Sequence, residues 1–295
     1  MKKKNNRKGI ILAGGTGSRL YPNTSVISKH LFPIYDKPML YYPLSTLMLS
    51  NIREILIITS PRDLKLYMSL FGDGSKLGLN IEYATQEKPR GIAESIIIGE
   101  KFIANNPFSL ILGDNILFGN VLEEILTNVS DKNENYIFLS SVKDPQRFGI
   151  AEIDKNGSIK SIQEKPKFPT SNLAIIGLYF YNKDVCGYVK KLKPSKRNEL
   201  EISDLNKLLV KKKALKQIQF GRGITWMDAG TEDSLIDTSQ FIQSIQNRSL
   251  YKISCPEEIA FKKRWISKKG LKLIIKEMPS SPYSKYLKEI LDNSY

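Results

Sequence analysis

An α/β fold is predicted, with a Rossmann-like, mainly parallel central sheet flanked by helices, an antiparallel insertion and a C-terminal helical extension. Three observations carry this. Short β-branched runs alternate with longer amphipathic segments through the first half of the chain. Those runs are apolar throughout, as strands covered on both faces must be. From about Tyr136 the rhythm changes to strand, turn, strand.

Taken in order, strands are expected over residues 10–12, 54–59, 80–84 and 108–112, with helices over 39–50, 61–70, 91–103 and 119–128. Strands separated by helices imply βαβ crossovers and hence parallel pairing. Four further strands follow over 136–142, 149–153, 158–163 and 173–181. Asn156-Gly157 is a hairpin signal, because both residue types tolerate positive φ, and this insertion is expected to close over the parallel sheet. Helices return over 201–210 and 231–245, with a strand over 217–220 between them. A basic, helix-prone tail follows Ser249, with helical segments starting at Pro256 and Tyr283. The apolar positions Ile259, Phe261, Trp265 and Ile266 in it read as intramolecular core. No repeat or low-complexity linker interrupts the chain, so a core over residues 1–248 carries a helical extension over 249–295.

Composition narrows the chemistry. The 295 residues are 41% hydrophobic, enough to bury a sizeable core. Lys and Arg total 45 against 30 Asp and Glu, a net charge of +15 that suits a phosphate-rich partner. The basic clusters at 2–4 and 211–213 lack interleaved aromatics, and no recognition module accompanies them, so nucleic acid is not the expected partner. His30 is the only histidine, which removes Ser-His-Asp, Cys-His and multi-histidine metal chemistry. Cys186 and Cys255 lie far apart, as in a reducing, cytoplasmic setting. The apolar stretch 9–13 is too short for a signal sequence, and no run of about 18 apolar residues predicts a membrane span.

Residues 13–19, Ala-Gly-Gly-Thr-Gly-Ser-Arg, follow the first strand, where an α/β sheet presents its ligand site. Gly14, Gly15, Thr16 and Gly17 let backbone N–H groups approach phosphate. The loop matches neither a Walker A sequence, which needs Gly-Lys-Ser/Thr, nor a dinucleotide fingerprint, which needs a glycine where Leu20 stands. Arg19 and Lys29 add two cations. Asp114, after Gly113 at a strand's carboxyl end, and Asp228, after Trp226, are two carboxylates able to share one Mg²⁺. Taken singly, each also fits a solvated turn.

Gly14–Leu20, Ser28–Pro33, Asp36–Met39, Leu112–Asn115, Glu164–Pro166, Gly177–Tyr181, Glu199–Ile202, Trp226–Asp228 and Cys255–Ile259 together resemble the sugar-phosphate nucleotidyltransferases, and most specifically the glucose-1-phosphate thymidylyltransferase family. The resemblance spans roughly residues 8 to 292. It implies a nucleotide half over about 8–130 and a sugar half over about 131–248. The implied substrates are dTTP and a sugar 1-phosphate, with Mg²⁺ on Asp114 and Asp228; a different sugar 1-phosphate, or UTP, is the alternative. It further implies catalytic roles for Arg19, Lys29, Asp114, Lys165 and Asp228, and base recognition by Gln86, Pro89 and Gly91. Asn115, Gly149, Glu164, Lys165, Ile175, Tyr179 and Arg197 match sugar-side positions, and the tail matches a region of subunit contacts and feedback in a homotetramer. Four residues depart from the pattern: His30 for Gln, Arg90 for an acidic residue, Phe148 for Tyr and Ile176 for Thr. The loss of two hydroxyls predicts a more apolar sugar pocket.

Overall fold

The computed structural model describes residues 6–293, so the basic cluster at 2–4 lies outside the described residues. Thirteen strands are found among them. The first is β1 (Lys8–Ala13), and a small ribbon follows from β2 (Pro33–Ile34) and β3 (Lys37–Pro38). Then come β4 (Glu54–Thr59), β5 (Asn80–Thr85), β6 (Phe108–Leu112), β7 (Asn115–Gly119), β8 (Asn135–Ser141), β9 (Gly149–Ile153) and β10 (Ile159–Glu164). The last three are β11 (Leu173–Tyr181), β12 (Leu215–Gln219) and β13 (Ile224–Asp228).

Nine of these form one sheet in the order β10-β9-β11-β6-β1-β4-β5, with β8 joining β11 to β12. The run β6-β1-β4-β5 is parallel, in a register that sets Ala13 beside Thr59 and Thr59 beside Thr85. Helices Tyr41–Leu49, Leu64–Phe71, Glu94–Ile98 and Glu100–Ile103 make the crossovers. Alternation along each strand feeds both faces: Ile11, Ile57 and Ile111 join one core with Leu44, Leu47 and Tyr67. Ile10, Leu56 and Leu110 join the other with Ile96, Phe102 and Tyr181. Each strand is therefore apolar without interruption.

The antiparallel strands do not close over this sheet as expected; they extend it. β11 runs antiparallel to β6 through Leu178↔Ile111 and touches β9 through Ala174↔Ile150. Between those contacts the sheet forks, and the Gly177 N–H is taken by the side chain of Asn115 (2.9 Å) instead of a strand. The expectation that this insertion closes over the sheet failed because a hairpin is legible locally, whereas its partner strand is not.

Two further elements were not anticipated. β7 and β13 pair as an antiparallel ribbon in which Asn115 faces Asp228. The tail holds three helices, Pro256–Lys262, Lys268–Glu277 and Pro282–Asp292, the second of which was unexpected. Ile259, Trp265 and Ile266 pack on the main core as predicted, while Phe261 and Ile266 also meet a small core of Cys255, Leu271, Tyr286 and Leu287. Both cysteines are free. Among the described residues no helix is long and apolar enough to cross a membrane.

Candidate active site

The carboxyl ends of the parallel strands share one edge, and the fork in the sheet opens beside them. A cavity of about 640 Å³ lies there. Gly15, Arg19, Gln86, Pro89 and Gly91 border one end. Asp114 and Asp228 border the middle, and Asn115, Gly149, Glu164, Lys165, Ile175, Tyr179 and Arg197 the other end. Ligands of open α/β sheets bind at such a switch point.

The two aspartates meet because of the ribbon. Gly113 turns the chain out of β6, and the Asn115↔Asp228 register brings Asp228 alongside, with the Ala229 N–H donating to the Asp114 carbonyl at 3.1 Å. Asp114 is buried and ion-paired to the equally buried Lys29. Burial works to raise its carboxyl, but the Lys29 ammonium holds it well below the usual carboxylate range. Asp228 behaves oppositely: burial first, then the Asp114 charge, push it up to about 6 against the pull of Lys29, Arg19 and Arg147. Two facing carboxylates are hard oxygen donors suited to Mg²⁺, whose remaining ligands are water and phosphate oxygens. Among the described residues no group of three or more His, Cys, Asp or Glu builds a closed metal cage.

Gln86 is buried, and its amide donates to the Glu94 carboxylate at 2.7 Å. The same nitrogen also donates to the Gly91 carbonyl at 3.4 Å, so both amide N–H groups have partners and the carbonyl oxygen is left for a ligand. Gly91 is held at φ +99°, and a Cβ there would lie 2.4 Å from the Leu200 carbonyl oxygen, so only glycine fits. Expected to free an approach to the base, Gly91 also lets this loop lie against residue 200. Arg90 closes the same contact by accepting the Leu200 N–H at 2.7 Å.

Pattern and chain agree over a long stretch. The sequence pattern of the nucleotidyl transferase family matches residues 8–245. A glucose-1-phosphate thymidylyltransferase of Neisseria gonorrhoeae is 46% identical over 285 residues, covering 96% of this chain and 99% of the relative. One from Xanthomonas campestris pv. campestris is 47% identical over 282 residues, covering 95% and 96%. This chain belongs to the nucleotidyl transferase family. Its solved neighbours agree: a Bacillus anthracis structure described as a glucose-1-phosphate thymidylyltransferase with sucrose has TM-score 0.73 at 41% identity, covering 80% of this chain and 94% of that one. A UDP-glucose pyrophosphorylase complexed with UDP-glucose has TM-score 0.71 at 25% identity, covering 82% and 99%.

For a nucleotidyl transferase of this fold, several predicted residues take different places. Gly14, Thr16, Gly17 and Lys29 do not border the cavity: Gly14 packs on Gln86, Gly17 accepts the Thr24 hydroxyl at 3.0 Å, and Lys29 lies behind Asp114. Asn115 borders it, yet its oxygen accepts from Gly177 and from the Trp226 indole (2.6 Å) while its amide donates to Asp114 at 3.0 Å. It braces the carboxylate and the indole together. Of the departures near the sugar end, only Phe148 reaches the cavity. Ile176 is fully buried in the main core, because alternation along β11 sends Ile175, Gly177 and Tyr179 to one face and Ile176 to the other. His30 is buried beneath the Gly113 turn, its Nδ1 near Ser28 (3.1 Å) and Tyr67 (3.3 Å). Burial and then the Lys29 charge push its imidazole down to about 3, so it is neutral. The expected double loss of polar contacts in the pocket therefore reduces to one position.

Several cavity residues were given no role in the sequence reading, Trp226 and Arg147 among them. Trp226 shares a strand face with Asp228, two positions on, and that spacing was available as a signal. Arg147 precedes Phe148-Gly149 and lies 3.6 Å from Asp228; as one of 45 basic residues it carried no signal of its own.

Proposed function

We propose that the protein joins dTTP and α-D-glucose 1-phosphate into dTDP-glucose with release of pyrophosphate. One observation carries this reading: the Asp114 and Asp228 carboxylates line one cavity together with Arg19, Arg147 and Lys165, and Lys29 pairs with Asp114 beside it. An oxygen of the sugar phosphate attacks the α-phosphorus in line. A new P–O bond forms, the bond from the α-phosphorus to its αβ-bridging oxygen breaks, and that electron pair departs on pyrophosphate. The nucleophile is already ionised at neutral pH, so no general base is needed. The difficulty is repulsion between anions, which positioned cations relieve.

Arg19 receives the triphosphate, and Lys29 does so through Asp114, whose ionised state it maintains. Lys165 and Arg197 hold the sugar phosphate, Glu164 accepts sugar hydroxyls, and Gly149, Ile175 and Tyr179 shape the ring site. Asp114 and Asp228 would hold Mg²⁺, which supplies charge neutralisation on the phosphates when bound. The Gln86 oxygen accepts from an imide N3–H, present in thymine and uracil and absent from cytosine. That leaves UTP, or another sugar 1-phosphate, as the second reading, favoured by the likeness to a UDP-glucose pyrophosphorylase.

The chain is read as a core over 1–248 and an extension over 249–295 that makes the contacts of a cytoplasmic homotetramer. A second cavity of about 310 Å³, between Leu49, Gly119 and the helix Pro256–Lys262, is where a feedback nucleotide would sit. The deciding experiment is pyrophosphate release with Mg²⁺ across dTTP, UTP, CTP, ATP and GTP against several sugar 1-phosphates, with Asp114→Asn as control. Fast turnover of dTTP with glucose 1-phosphate, lost in the variant, supports the reading. Activity with another pair alone replaces it.

A further inference from the structure

We propose that Arg147 is a cation with two stations, facing Asp228 before substrates bind and moving onto the sugar phosphate once substrates and metal are in place. The inference rests on the reaction proposed above. Arg147 ends a single 3₁₀ turn, Pro145–Arg147, immediately before the Phe148-Gly149 edge of the sugar end. Its root is fixed. The Lys165 N–H donates to the Phe148 carbonyl at 3.0 Å, and the Phe148 ring meets Trp226 edge-on at 5.1 Å. Trp226 in turn is held by Asn115, which also braces Asp114.

The guanidinium is hydrogen-bonded to Asp144, and only its contact with Asp228 is long. It lies 5.2 Å from the centre of the Phe148 ring, pairs with Asp144 at 2.7 Å, and reaches Asp228 at only 3.6 Å, too long for a hydrogen bond. Its side chain is two-fifths exposed (40%), against 17% for Asp228. A fixed root and a partly exposed head, whose hydrogen bond is to Asp144 and not to Asp228, describe a group that can leave Asp228 without moving the backbone.

Charge explains why it must change them. A divalent ion on Asp114 and Asp228 would occupy the oxygens that Arg147 faces, and two cations cannot share them. The same event brings phosphate anions to the join between the two ends of the cavity. Arg147 lies at that join, between Asp228 and the Phe148-Gly149 edge to which Lys165 is tied. Its planar fork suits two phosphate oxygens at once. The released guanidinium is thus one side-chain rotation from the charge that has just arrived. Until then it adds to the Lys29 and Arg19 charges that offset Asp114 at the Asp228 carboxylate.

The test uses full-length Arg147→Met, which keeps the stem over Phe148, and Arg147→Lys, which keeps the charge. Mn²⁺ binding to nucleotide-free protein is followed by electron paramagnetic resonance, and steady-state kinetics by pyrophosphate release. Removing a resting counter-ion should tighten Mn²⁺ about fivefold in Arg147→Met. Losing a phosphate cation should raise KM for glucose 1-phosphate about tenfold and lower kcat about a hundredfold, with KM for dTTP within about twofold. Arg147→Lys should recover part of both effects. A merely structural arginine would not tighten the metal while slowing the reaction. Mn²⁺ affinity that is unchanged or weaker in Arg147→Met overturns the proposal, as does a KM shift confined to dTTP. Wild-type protein that makes no dTDP-glucose would defeat the substrate reading instead, and the Mn²⁺ measurement would still decide the role of Arg147.

Discussion

Two buried groups of charges in this molecule follow opposite rules. Where the tail joins the core, every acid has a dedicated donor: Tyr283 donates to Glu257 at 2.6 Å, Tyr286 to Glu258 at 2.5 Å, and Lys252 and Gln246 to Asp36 at 2.5 and 3.1 Å. In the cavity Asp114 is served by Lys29 and Asn115, but the ion pair of Asp228 with Arg147 is long at 3.6 Å. Burial is comparable, so desolvation alone does not separate the two groups. Compensation does. A satisfied cluster fixes geometry, whereas one left short of charge has affinity to spare for a ligand.

The sharpest way to break this contrast is to neutralise each cavity aspartate in turn. Asp114→Asn is expected to lower kcat by about a thousandfold or more, measured by pyrophosphate release. It also strands Lys29 in a buried position, so the melting curve should report a loss of about 3 kcal/mol. Asp228→Asn should slow turnover as severely without that destabilisation. The pH dependence gives its sign. The Asp228 carboxyl is raised from 3.8 to about 6 in the folded chain, so the protonated form favours folding. In EDTA its contribution should be fully present below about pH 4 and lost as pH rises through about 6, a change of about 3 kcal/mol that Asp228→Asn removes. Equal destabilisation by both variants would mean that the cavity is as fully compensated as the tail junction.

The same contrast marks what the sequence could disclose. The cavity positions of Gly15 and Asp114 were legible because a continuous apolar strand ending in glycine announces the ligand edge of an α/β sheet. Asp228 was legible only through the motif around it. Its meeting with Asp114 depends on the β7–β13 register, and two short strands of mixed polarity do not reveal their pairing. Ile176 was misplaced although period-two alternation from Ile175 already excluded it from the cavity. His30 looked like a change in the site because its neighbour Lys29 belongs there; burial of the ring under Gly113 is a tertiary fact. Arg147 had no local signal, since its importance lies in a distance across the fold.

At the tail junction the expected effect falls on stability alone. Tyr283→Phe removes the donor from the buried Glu257 carboxyl, whose ionised form burial already disfavours. An unfolding free energy lower by about 1.5 kcal/mol, with kcat within about twofold of wild type, is the expected result. A fall in kcat at unchanged stability would instead couple this cluster to the cavity.

The smallest effect should come from a charge pair that is neither buried nor short of partners. Lys76 and Glu277 bridge core and tail across the surface, with side chains 70% and 58% exposed. Solvent screens such a pair, and ordering two long side chains offsets most of what remains. Glu277→Gln should therefore change the unfolding free energy by less than about 0.5 kcal/mol in a denaturant titration, and less again at high salt. The tail would then owe its attachment to the buried Lys252 donor on Asp36 and to Trp265 against the main core, with the donors on Glu257 and Glu258 tying its own helices together. A loss above about 1 kcal/mol from Glu277→Gln would reverse that ranking, since it would make an exposed pair worth as much as a buried hydrogen bond to Glu257.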